Sequence, residues 1–458
     1  MFADHAPLTW RSELAATLRL AVPLAIAGLL QMGTYAIDVI FLARLGADAL
    51  AASSLAVAIY GTMTWCLSGL TGSVAALIAA ELGRRRHAVR EVRRSTRMAL
   101  WLALGSSAVG MGVCAAGESL MLLTGQDPAI AARSADYLNI LMWSMPFAIL
   151  ANVLRSFVST LGWPVYATLI TALGVILNAI GNYILIFGNF GAPALGLEGA
   201  AISTLIASAA MFGAYVLAIE CNRTMRRYYL WGRIWRMELH RLGDLLRIGG
   251  PVAVTIIAEA GFFSGAAFLM GRIGPEQLAG HVLALNLASF AFQVPHAIGQ
   301  AATIRVGYHY GARNRPAIRL AGWAAIASGT GFMTTTAAAM LFAPHVLLSF
   351  YVDVSAQENA GMVSFAVTYM VVASAFQLFD GLQAVAMGAL RGLQDTRVPM
   401  TYALFGYWVP GLACCLWLGF WTPFAGTGVW IGLAVGLVVV AGLMLWRWSR
   451  RERLGLTN

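Results

Sequence analysis

Residues 247–274 read RIGGPVAVTIIAEAGFFSGAAFLMGRIG, a run composed mostly of apolar residues. A helix needs about 20 apolar residues to cross a bilayer, and the stretch is long enough. It carries one carboxylate, Glu259, near its middle. A charged side chain at the centre of a membrane helix costs about 2.5 to 3.5 kcal/mol on insertion scales. Because that cost needs compensation, the stretch predicts a membrane helix with Glu259 as a candidate functional residue.

The same stretch repeats an earlier one. Residues 19–46 read RLAVPLAIAGLLQMGTYAIDVIFLARLG. Aligned without a gap, the two stretches match at several positions, among them Arg247 on Arg19, Pro251 on Pro23, Arg272 on Arg44, and Gly274 on Gly46. An internal repeat of this kind indicates a duplicated unit, so two halves of similar structure are predicted.

The composition is that of a polytopic membrane protein. The chain has 458 residues, of which 59% are hydrophobic and 11% charged, and its mean hydropathy is +0.74. A net charge of +10 would suggest a nucleic-acid partner in a soluble protein. In a membrane protein, the excess of basic residues in cytoplasmic loops explains it, so no nucleic-acid partner is expected. The five cysteines lack metal-ligand spacing and are interpreted as small buried side chains.

Twelve apolar runs are long enough to span a bilayer. They are centred near residues 30, 65, 108, 147, 176, 207, 260, 293, 333, 374, 409 and 436. Each half holds six runs, an even number, so both halves enter the membrane in the same orientation. The predicted fold is an all-α polytopic membrane protein with two parallel six-helix repeats. The predicted domains are an N-terminal lobe (1–222), a cytoplasmic linker (223–246), a C-terminal lobe (247–448) and a basic cytoplasmic tail (449–458).

The distribution of arginine sets the predicted orientation. With both termini in the cytoplasm, every arginine except Arg44, Arg133 and Arg272 falls on the cytoplasmic side, as the positive-inside rule requires. The densest clusters lie at residues 83–97 and in the linker, and we interpret them as solvated loops facing lipid headgroups. Tryptophans among the linker arginines, at 231 and 235, suggest an interfacial amphipathic helix.

Three acidic residues lie deep in apolar runs: Asp38, Glu259 and Asp380. Acids in such positions are commonly part of an ion or proton pathway. Each of the three can therefore exchange a proton or a small cation when water reaches it. The structural alternative is a protonated, hydrogen-bonded carboxyl group that holds neighbouring helices together.

Polar side chains at helical spacing lie on the same run as Asp38 and on two later runs of the same half. They are Gln31 and Thr34 on the same run, Asn178 and Asn182 on one face of the fifth run, and Thr204 on the sixth. Hydroxyl and amide oxygens beside a carboxylate suit a small hard cation or a shared proton. For the asparagines, interhelical hydrogen bonding is the structural alternative.

A second polar group accompanies Glu259 and Asp380. Thr255 precedes Glu259 by one turn, and Gln377 and Gln383 flank Asp380. The eighth run carries a polar stripe of Asn286, Ser289, Gln293, His296 and Gln300. Lipid would leave such a stripe unsatisfied, so it should face protein or a water-filled path. His296 is equally explained as a packing residue.

Interior prolines mark three of the runs: Pro23, Pro146 and Pro251. Proline removes one helical hydrogen bond and bends the helix. Because Pro23 and Pro251 occupy equivalent positions in the repeat, a shared bend is predicted, which is a candidate hinge or a packing feature.

The sequence lacks the motifs of nucleotide-driven transport and of catalysis. The glycine-rich stretch GAPALGLEG at 191–199 has no lysine of a phosphate-binding loop, and neither a metal triad nor a nucleophile with its base is found. We therefore predict that the chain is not an enzyme and uses no cofactor. Energy would come from an ion gradient or from a partner protein.

Several of these features together resemble the multidrug and toxic compound extrusion (MATE) family, in its NorM-like bacterial branch. They are Pro23, Asp38 followed by ARLG, the pair Asn178 and Asn182 before a tyrosine, Glu259, and the segment FDGLQAVAMGALRGLQDTRVP at 379–399 with Asp380. The resemblance covers roughly residues 10–448.

The resemblance implies a V-shaped pair of lobes in the bacterial inner membrane. Its implied activity is secondary active multidrug efflux, with cationic or amphiphilic compounds exchanged for Na⁺ or H⁺ by alternating access and a consequent role in antibiotic resistance. No obligatory protein partner is implied.

The resemblance also assigns residues. Asp38, Asn178, Asn182 and Thr204 would form a cation site in the first lobe, and Glu259 with Asp380 a second, with Na⁺ possible at either. The substrate-cavity candidates are Gln31, Thr34, Thr255, Asn286, Gln293 and Phe376, and the hinge candidates are Pro23 and Pro251. Some relatives carry a carboxylate at the position of Asn182 or a tyrosine at that of Phe376, so the coupling ion stays open.

Two other functions are compatible with a polytopic membrane protein. A lipid-linked oligosaccharide flippase of the same superfamily would need a more basic cavity than the few intramembrane arginines provide. An integral-membrane enzyme would need a cluster of nucleophile or metal ligands at one interface.

Overall fold

The computed structural model describes residues 9–84, 88–232 and 234–457. Parts of four predicted segments lie outside the described residues: the start of the N-terminal lobe (1–8), part of the first arginine cluster (85–87), linker residue 233 and the last residue of the tail (458). The described residues form helices and turns without β-strands, which confirms the predicted all-α class. Helices suit a bilayer because they satisfy every backbone polar group within one segment.

The first half of the chain contains nine helices among its described residues. They are α1 (Trp10–Ala43), α2 (Ala47–Gly72), α3 (Val74–Arg84), α4 (Ala88–Ala115), α5 (Gly117–Leu123), α6 (Pro128–Leu141), α7 (Ser144–Thr160), α8 (Val165–Phe187) and α9 (Leu197–Cys221). A single 3₁₀ turn, Asn189–Gly191, follows α8.

The described parts of the linker and of the second half contain the remaining helices. They are α10 (Arg223–Arg226), α11 (Leu239–Ile273), α12 (Pro275–Gly311), α13 (Arg315–Phe342), α14 (Pro344–Leu348), α15 (Ala360–Gly392), α16 (Arg397–Gly406), α17 (Leu412–Phe420) and α18 (Ala425–Ser449). A 3₁₀ turn, Gln357–Asn359, precedes α15, and a π-helical turn, Tyr407–Gly411, joins α16 to α17.

The spans agree with the predicted number. Among the described residues, 11 helical spans are long and apolar enough to cross a membrane, or 12 when α6 and α7 count as one span bent by 48°. Pro146 lies in the first turn of α7, just after this bend. A proline is tolerated there because the first amide groups of a helix have no partner within it. The protein is therefore a multi-pass membrane protein.

The packing divides the chain into two compact units. The first unit comprises residues 26–253, and the second comprises the described residues 9–25 with 254–457. The division passes through α1 and α11 rather than through the linker. In each helix it falls two residues after a proline, Pro23 in α1 and Pro251 in α11. The lobe boundaries drawn from the repeat stay a prediction.

The linker is fastened to α4 in the first unit. Arg97 Nη1 donates to the carbonyl of Gly232 at 2.8 Å, and Trp101 Nε1 donates to the carbonyl of Ile234 at 2.7 Å. Arg94 Nε donates to Glu238 Oε2 at 2.5 Å. The prediction of a purely solvated arginine cluster is therefore wrong for Arg94 and Arg97.

An ion-pair network continues from this contact. Arg241, at the start of α11, pairs with Glu91 of α4 and lies 3.4 Å from Glu81 of α3. The described linker residues around Trp231 and Trp235 form turns, so the predicted amphipathic helix is wrong. Contacts with side chains of α4, rather than helical hydrogen bonds, fix the conformation of this segment.

Close backbone contact joins α12 and α15 in the second unit. A methyl group added at Gly388 would lie 2.2 Å from the carbonyl oxygen of Gly299, so only glycine fits there. Thr303 Oγ1 donates to the carbonyl of Gly388 at 2.8 Å. Small residues that let membrane helices approach closely are typical of such interfaces. This contact fixes α15, which carries Asp380.

Candidate functional site

The first unit assembles a chain of hydrogen bonds around Asp38. Asn182 Nδ2 donates to Asp38 Oδ1 at 2.6 Å and to Asn178 Oδ1 at 3.3 Å. Asn178 Nδ2 in turn donates to Thr204 Oγ1 at 3.3 Å. The structure thus brings together the four residues predicted as the first cation site. They come from α1, α8 and α9, and we call them the Asp38 cluster.

The Asp38 cluster carries more acceptors than donors. Both amide hydrogens of Asn182 are directed at Asp38 and Asn178, while its carbonyl oxygen is buried and has no hydrogen-bond partner among the described residues. An unsatisfied buried acceptor costs about 1 to 3 kcal/mol. Oxygens of carboxylate, amide and hydroxyl groups are the ligands that hard cations prefer. The donor set therefore fits a small cation or a shared proton.

A cavity of about 50 Å³ adjoins the Asp38 cluster. Gln31, Thr34, Asn178 and Thr204 supply polar groups to its wall. One water needs roughly 10 to 15 Å³ on this measure, so the cavity has room for a few waters or a hydrated ion. Pockets for organic ligands are about 300 Å³ or larger. In this conformation, Gln31 and Thr34 line a space of ionic size.

The second unit pairs two carboxylates. Glu259 of α11 and Asp380 of α15 lie close enough to interact electrostatically. Asp380 is buried, and its Oδ1 has no hydrogen-bond partner among the described residues. Two carboxylates in an apolar surround cannot both be charged without a nearby positive charge. The pair is therefore suited to share a proton or a cation, and the role of these two residues stays a prediction.

Gln383 and Tyr407 extend this carboxylate pair. Gln383 lies near Glu259, and its Oε1 accepts from the Tyr407 hydroxyl at 2.7 Å. Tyr407 is fully buried and stacks on Phe262, with ring centroids 5.3 Å apart. We call Glu259, Asp380, Gln383 and Tyr407 the Glu259 cluster.

Tyr407 was not among the residues predicted from the sequence. It lies in the π-helical turn Tyr407–Gly411, which also contains Pro410. Single π turns inside helices are often found at functional sites. A hydroxyl-bearing aromatic three residues before an interior proline was the available signal, but such tyrosines are common in membrane helices.

The remaining substrate-cavity candidates have different surroundings. Phe376 is buried in an aromatic cluster, 6.0 Å from the Phe263 ring and 5.5 Å from the Trp430 ring. Thr255 is buried and Gln293 half-buried. Asn286 is exposed and donates to the Val282 carbonyl of its own helix at 2.9 Å.

The other members of the predicted polar stripe are partly buried. Ser289, Gln293, His296 and Gln300 are all half-buried. The His296 ring lies 5.7 Å from the Phe292 ring on the same helix. Gln377, on α15, accepts from Thr336 Oγ1 at 2.8 Å and is fully buried. This glutamine links α13 to α15 next to the Glu259 cluster.

Comparison with known proteins decides the family. The sequence model of the MatE family matches residues 23–184 and 251–417, one segment in each half. The chain belongs to the MatE family. The two matched segments begin at Pro23 and Pro251, the equivalent prolines of the repeat. The predicted family is thereby confirmed.

Curated relatives place the chain near bacterial NorM proteins. It is 43% identical to a probable multidrug resistance protein NorM of Mesorhizobium japonicum, over 97% of this chain and 95% of that protein. It is 42% identical to a probable multidrug resistance protein NorM of Brucella suis, over 96% of this chain and 94% of that protein. The NorM-like branch that the sequence suggested is therefore confirmed.

Solved structures of MATE transporters share the fold. The eukaryotic MATE transporter AtDTX14 superposes with a TM-score of 0.86 at 19% identity, over 98% of this chain and 99% of its own. An outward-facing multidrug resistance MATE family transporter gives 0.85 at 21% identity, over 97% of both chains. At these identities the likeness concerns the fold alone.

Proposed function

We propose that this MatE-family protein is a secondary active multidrug efflux transporter. Two relatives that bear the name multidrug resistance protein NorM are 43% and 42% identical to it over nearly their whole length. The observation that carries the coupling proposal is the Asp38 cluster, in which a half-buried carboxylate stands beside an amide oxygen that has no donor among the described residues. Entry of a cation or a proton would lower the free energy of such a site, because it satisfies the unpaired acceptor.

Coupling would follow from competition between ion and substrate. Na⁺ or H⁺ binding at the Asp38 cluster, the Glu259 cluster or both favours one arrangement of the protein, and substrate binding favours another. A ligand shifts such an equilibrium only by its difference in affinity between the two states. Export would therefore proceed by alternating access, with downhill ion entry driving uphill substrate exit.

The residue roles are assigned on this basis. Asp38, Asn178, Asn182 and Thr204 bind the coupling ion in the first unit, and Glu259 with Asp380 exchanges a proton or Na⁺ in the second. Gln31, Thr34, Thr255, Asn286, Gln293 and Phe376 stay substrate-cavity candidates for a conformation more open than this one. Pro23 and Pro251 are the hinge candidates, because each interrupts the hydrogen bonding of a long helix.

The proposed setting is the bacterial inner membrane with both termini in the cytoplasm, as the arginine distribution favours. The proposed substrates are cationic or amphiphilic organic compounds, since carboxylates attract such molecules. The mechanism needs no cofactor besides the coupling ion and no obligatory protein partner. The transporter family is consistent with the prediction that the chain is not an enzyme.

Transport in reconstituted vesicles tests the proposal. The purified protein is inserted into proteoliposomes loaded with ethidium, and a Na⁺ or H⁺ gradient is imposed separately. We expect one of the two gradients to accelerate ethidium efflux above that of protein-free vesicles, and that gradient identifies the coupling ion. If neither gradient moves ethidium or any of a panel of organic cations, the proposed function is wrong.

A further inference from the structure

A groove of about 490 Å³ lies on the first unit where α9 ends, among residues not assigned to transport. Trp163 and Tyr166 form one part of its wall, and Leu217, Cys221 and Arg223 form another. The groove is roughly ten times larger than the cavity at the Asp38 cluster, which places it in the size range of organic ligands. It opens on the surface of a membrane protein, so the surrounding bilayer can reach it.

The groove changes from apolar to basic along the direction of α9. Leu217 is 66% exposed, one turn before the end of this membrane helix. Trp163 is 38% exposed, and its ring lies 6.2 Å from that of Tyr166. Arg223 follows just beyond the helix end. Tryptophan and tyrosine collect at the level of lipid headgroups, with apolar residues on one side and basic residues on the other. The groove therefore matches the profile of one leaflet.

The basic end of the groove has an unbalanced positive charge. Arg223 is exposed and has no acidic partner among the described residues. The nearby acid, Glu220, lies 3.7 Å from Arg226. Arg227 packs over the Tyr228 ring at 5.3 Å and adds a further positive charge. An anion at Arg223 would meet a free guanidinium, with its five N–H donors available.

We propose that this groove binds an anionic phospholipid from the membrane. The headgroup phosphate contacts Arg223, the glycerol region lies against Trp163 and Tyr166, and one acyl chain runs along Leu217. The occupant is a lipid, not a free anion, because the apolar and aromatic parts of the groove would otherwise be left exposed. The proposal does not depend on which ion or drug the protein moves.

Cys221 provides a reporter inside the groove. It is exposed and lines the groove, whereas Cys66, Cys114 and Cys415 are buried. The protein is placed in nanodiscs of phosphatidylcholine alone or with phosphatidylglycerol, and a neutral maleimide labels it. Peptide mass spectrometry then gives the labelling rate of Cys221 separately from that of the half-buried Cys414.

We expect phosphatidylglycerol to slow the labelling of Cys221 by about fivefold, the change that corresponds to about 1 kcal/mol for one arginine at an anionic surface. Arg223→Gln should remove this protection. Arg226→Gln is the matched control, because Arg226 already faces Glu220. It should keep the protection, which also corrects for the general effect of an anionic surface on thiol reactivity.

Two further measurements make the result decisive. Native mass spectrometry should find one more phosphatidylglycerol retained on the wild type than on Arg223→Gln, with equal melting temperatures for the two proteins. Equal protection in Arg223→Gln and Arg226→Gln, or none in the wild type, would overturn the proposal. So would protection of Cys221 in phosphatidylcholine discs by millimolar inorganic phosphate alone, since the ligand would then be a free anion.

Discussion

Asn182 Nδ2 donates to Asp38 Oδ1 at 2.6 Å, while the carbonyl oxygen of the same asparagine is buried and meets no donor in the described part of the chain. The amide orients the carboxylate and also presents an acceptor beside it. A proton or a small cation beside this carboxylate would supply the positive charge that carboxylate and amide oxygens both accept.

Replacing Asn182 by alanine should weaken both stability and ion binding. The change removes the donor to Asp38 and leaves Asn178 Oδ1 with one partner fewer, so we expect a loss of about 1 to 3 kcal/mol of unfolding free energy. An ion that binds only the folded state raises the melting temperature. The rise that Na⁺ or low pH gives the wild type should therefore shrink in Asn182→Ala.

Asn189→Ala is the control for this substitution. Asn189 also donates an amide hydrogen, to the Tyr183 carbonyl at 2.9 Å, but in an exposed turn. It should stay within about 0.5 kcal/mol of the wild type and keep the full ion-dependent shift. Equal ion-dependent shifts in Asn182→Ala and the wild type would remove Asn182 from the site.

Tyr407→Phe should disturb the Glu259 cluster without changing its volume. The variant loses the hydroxyl that donates to Gln383 Oε1 at 2.7 Å and leaves that buried oxygen unsatisfied. We expect about 1 to 3 kcal/mol of destabilisation and slower ion-driven ethidium efflux. Tyr310→Phe, at a half-buried tyrosine of the same unit, should change neither quantity. Identical behaviour of the two variants would contradict a role for Tyr407.

The contact between linker and α4 should contribute stability that depends on pH. The hydrogen bond from Arg94 lowers the pKa of Glu238 below its ordinary value of 4.5. A lowered pKa means that the contribution is complete above the ordinary value and is lost as the pH falls through the lowered one. The melting temperature of Glu238→Gln should therefore lie below that of the wild type at about pH 7, and the gap should narrow as the pH falls below about 4.

Glu198→Gln, at an exposed acid of the same unit, serves as the control and should melt like the wild type throughout this pH range. If the gap between Glu238→Gln and the wild type stayed constant down to about pH 3, the contact with Arg94 would not account for it.

Removing either hinge candidate should slow turnover while leaving ion binding in place. Alanine at Pro23 or Pro251 restores a backbone donor inside a long helix, which favours a straight helix. We expect efflux to fall several-fold in Pro23→Ala and Pro251→Ala, with the ion-dependent rise in melting temperature unchanged. Pro146→Ala is the control, because Pro146 lies in the first turn of α7. Normal efflux in both hinge variants would favour a packing role.

The sequence predicted the membrane spans and the three deep acids because both depend on local composition. A run of apolar residues is a sufficient signal for a span, and an acid such as Glu259 stands out within it. The partners of these acids were harder to predict. Asp38 and Asn182 are separated by 144 positions, so their polar character suggested a common cluster but not the hydrogen bond that joins them.

The features that the sequence did not predict depend on three-dimensional packing. The linker lacks a helix around Trp231 because Arg97 and Trp101 of α4 bind its backbone carbonyls. The hydrophobic periodicity of the linker sequence does not reveal such contacts. The π turn that places Tyr407 beside Gln383 arises inside an ordinary apolar run. The burial of Phe376 depends on Phe263 and Trp430, which come from two other helices.

The most direct test of the account is ion-driven ethidium efflux from vesicles containing Asp38→Asn, Glu259→Gln or Asp380→Asn, measured beside the wild type. Asp48→Asn, at an exposed acid of the first unit, controls for the loss of one carboxylate. The account predicts that efflux falls about tenfold or more in a variant of a coupling site. This change corresponds to about 1.4 kcal/mol or more in the driving step. Asp48→Asn should behave as the wild type. Wild-type efflux in all three variants would contradict the account.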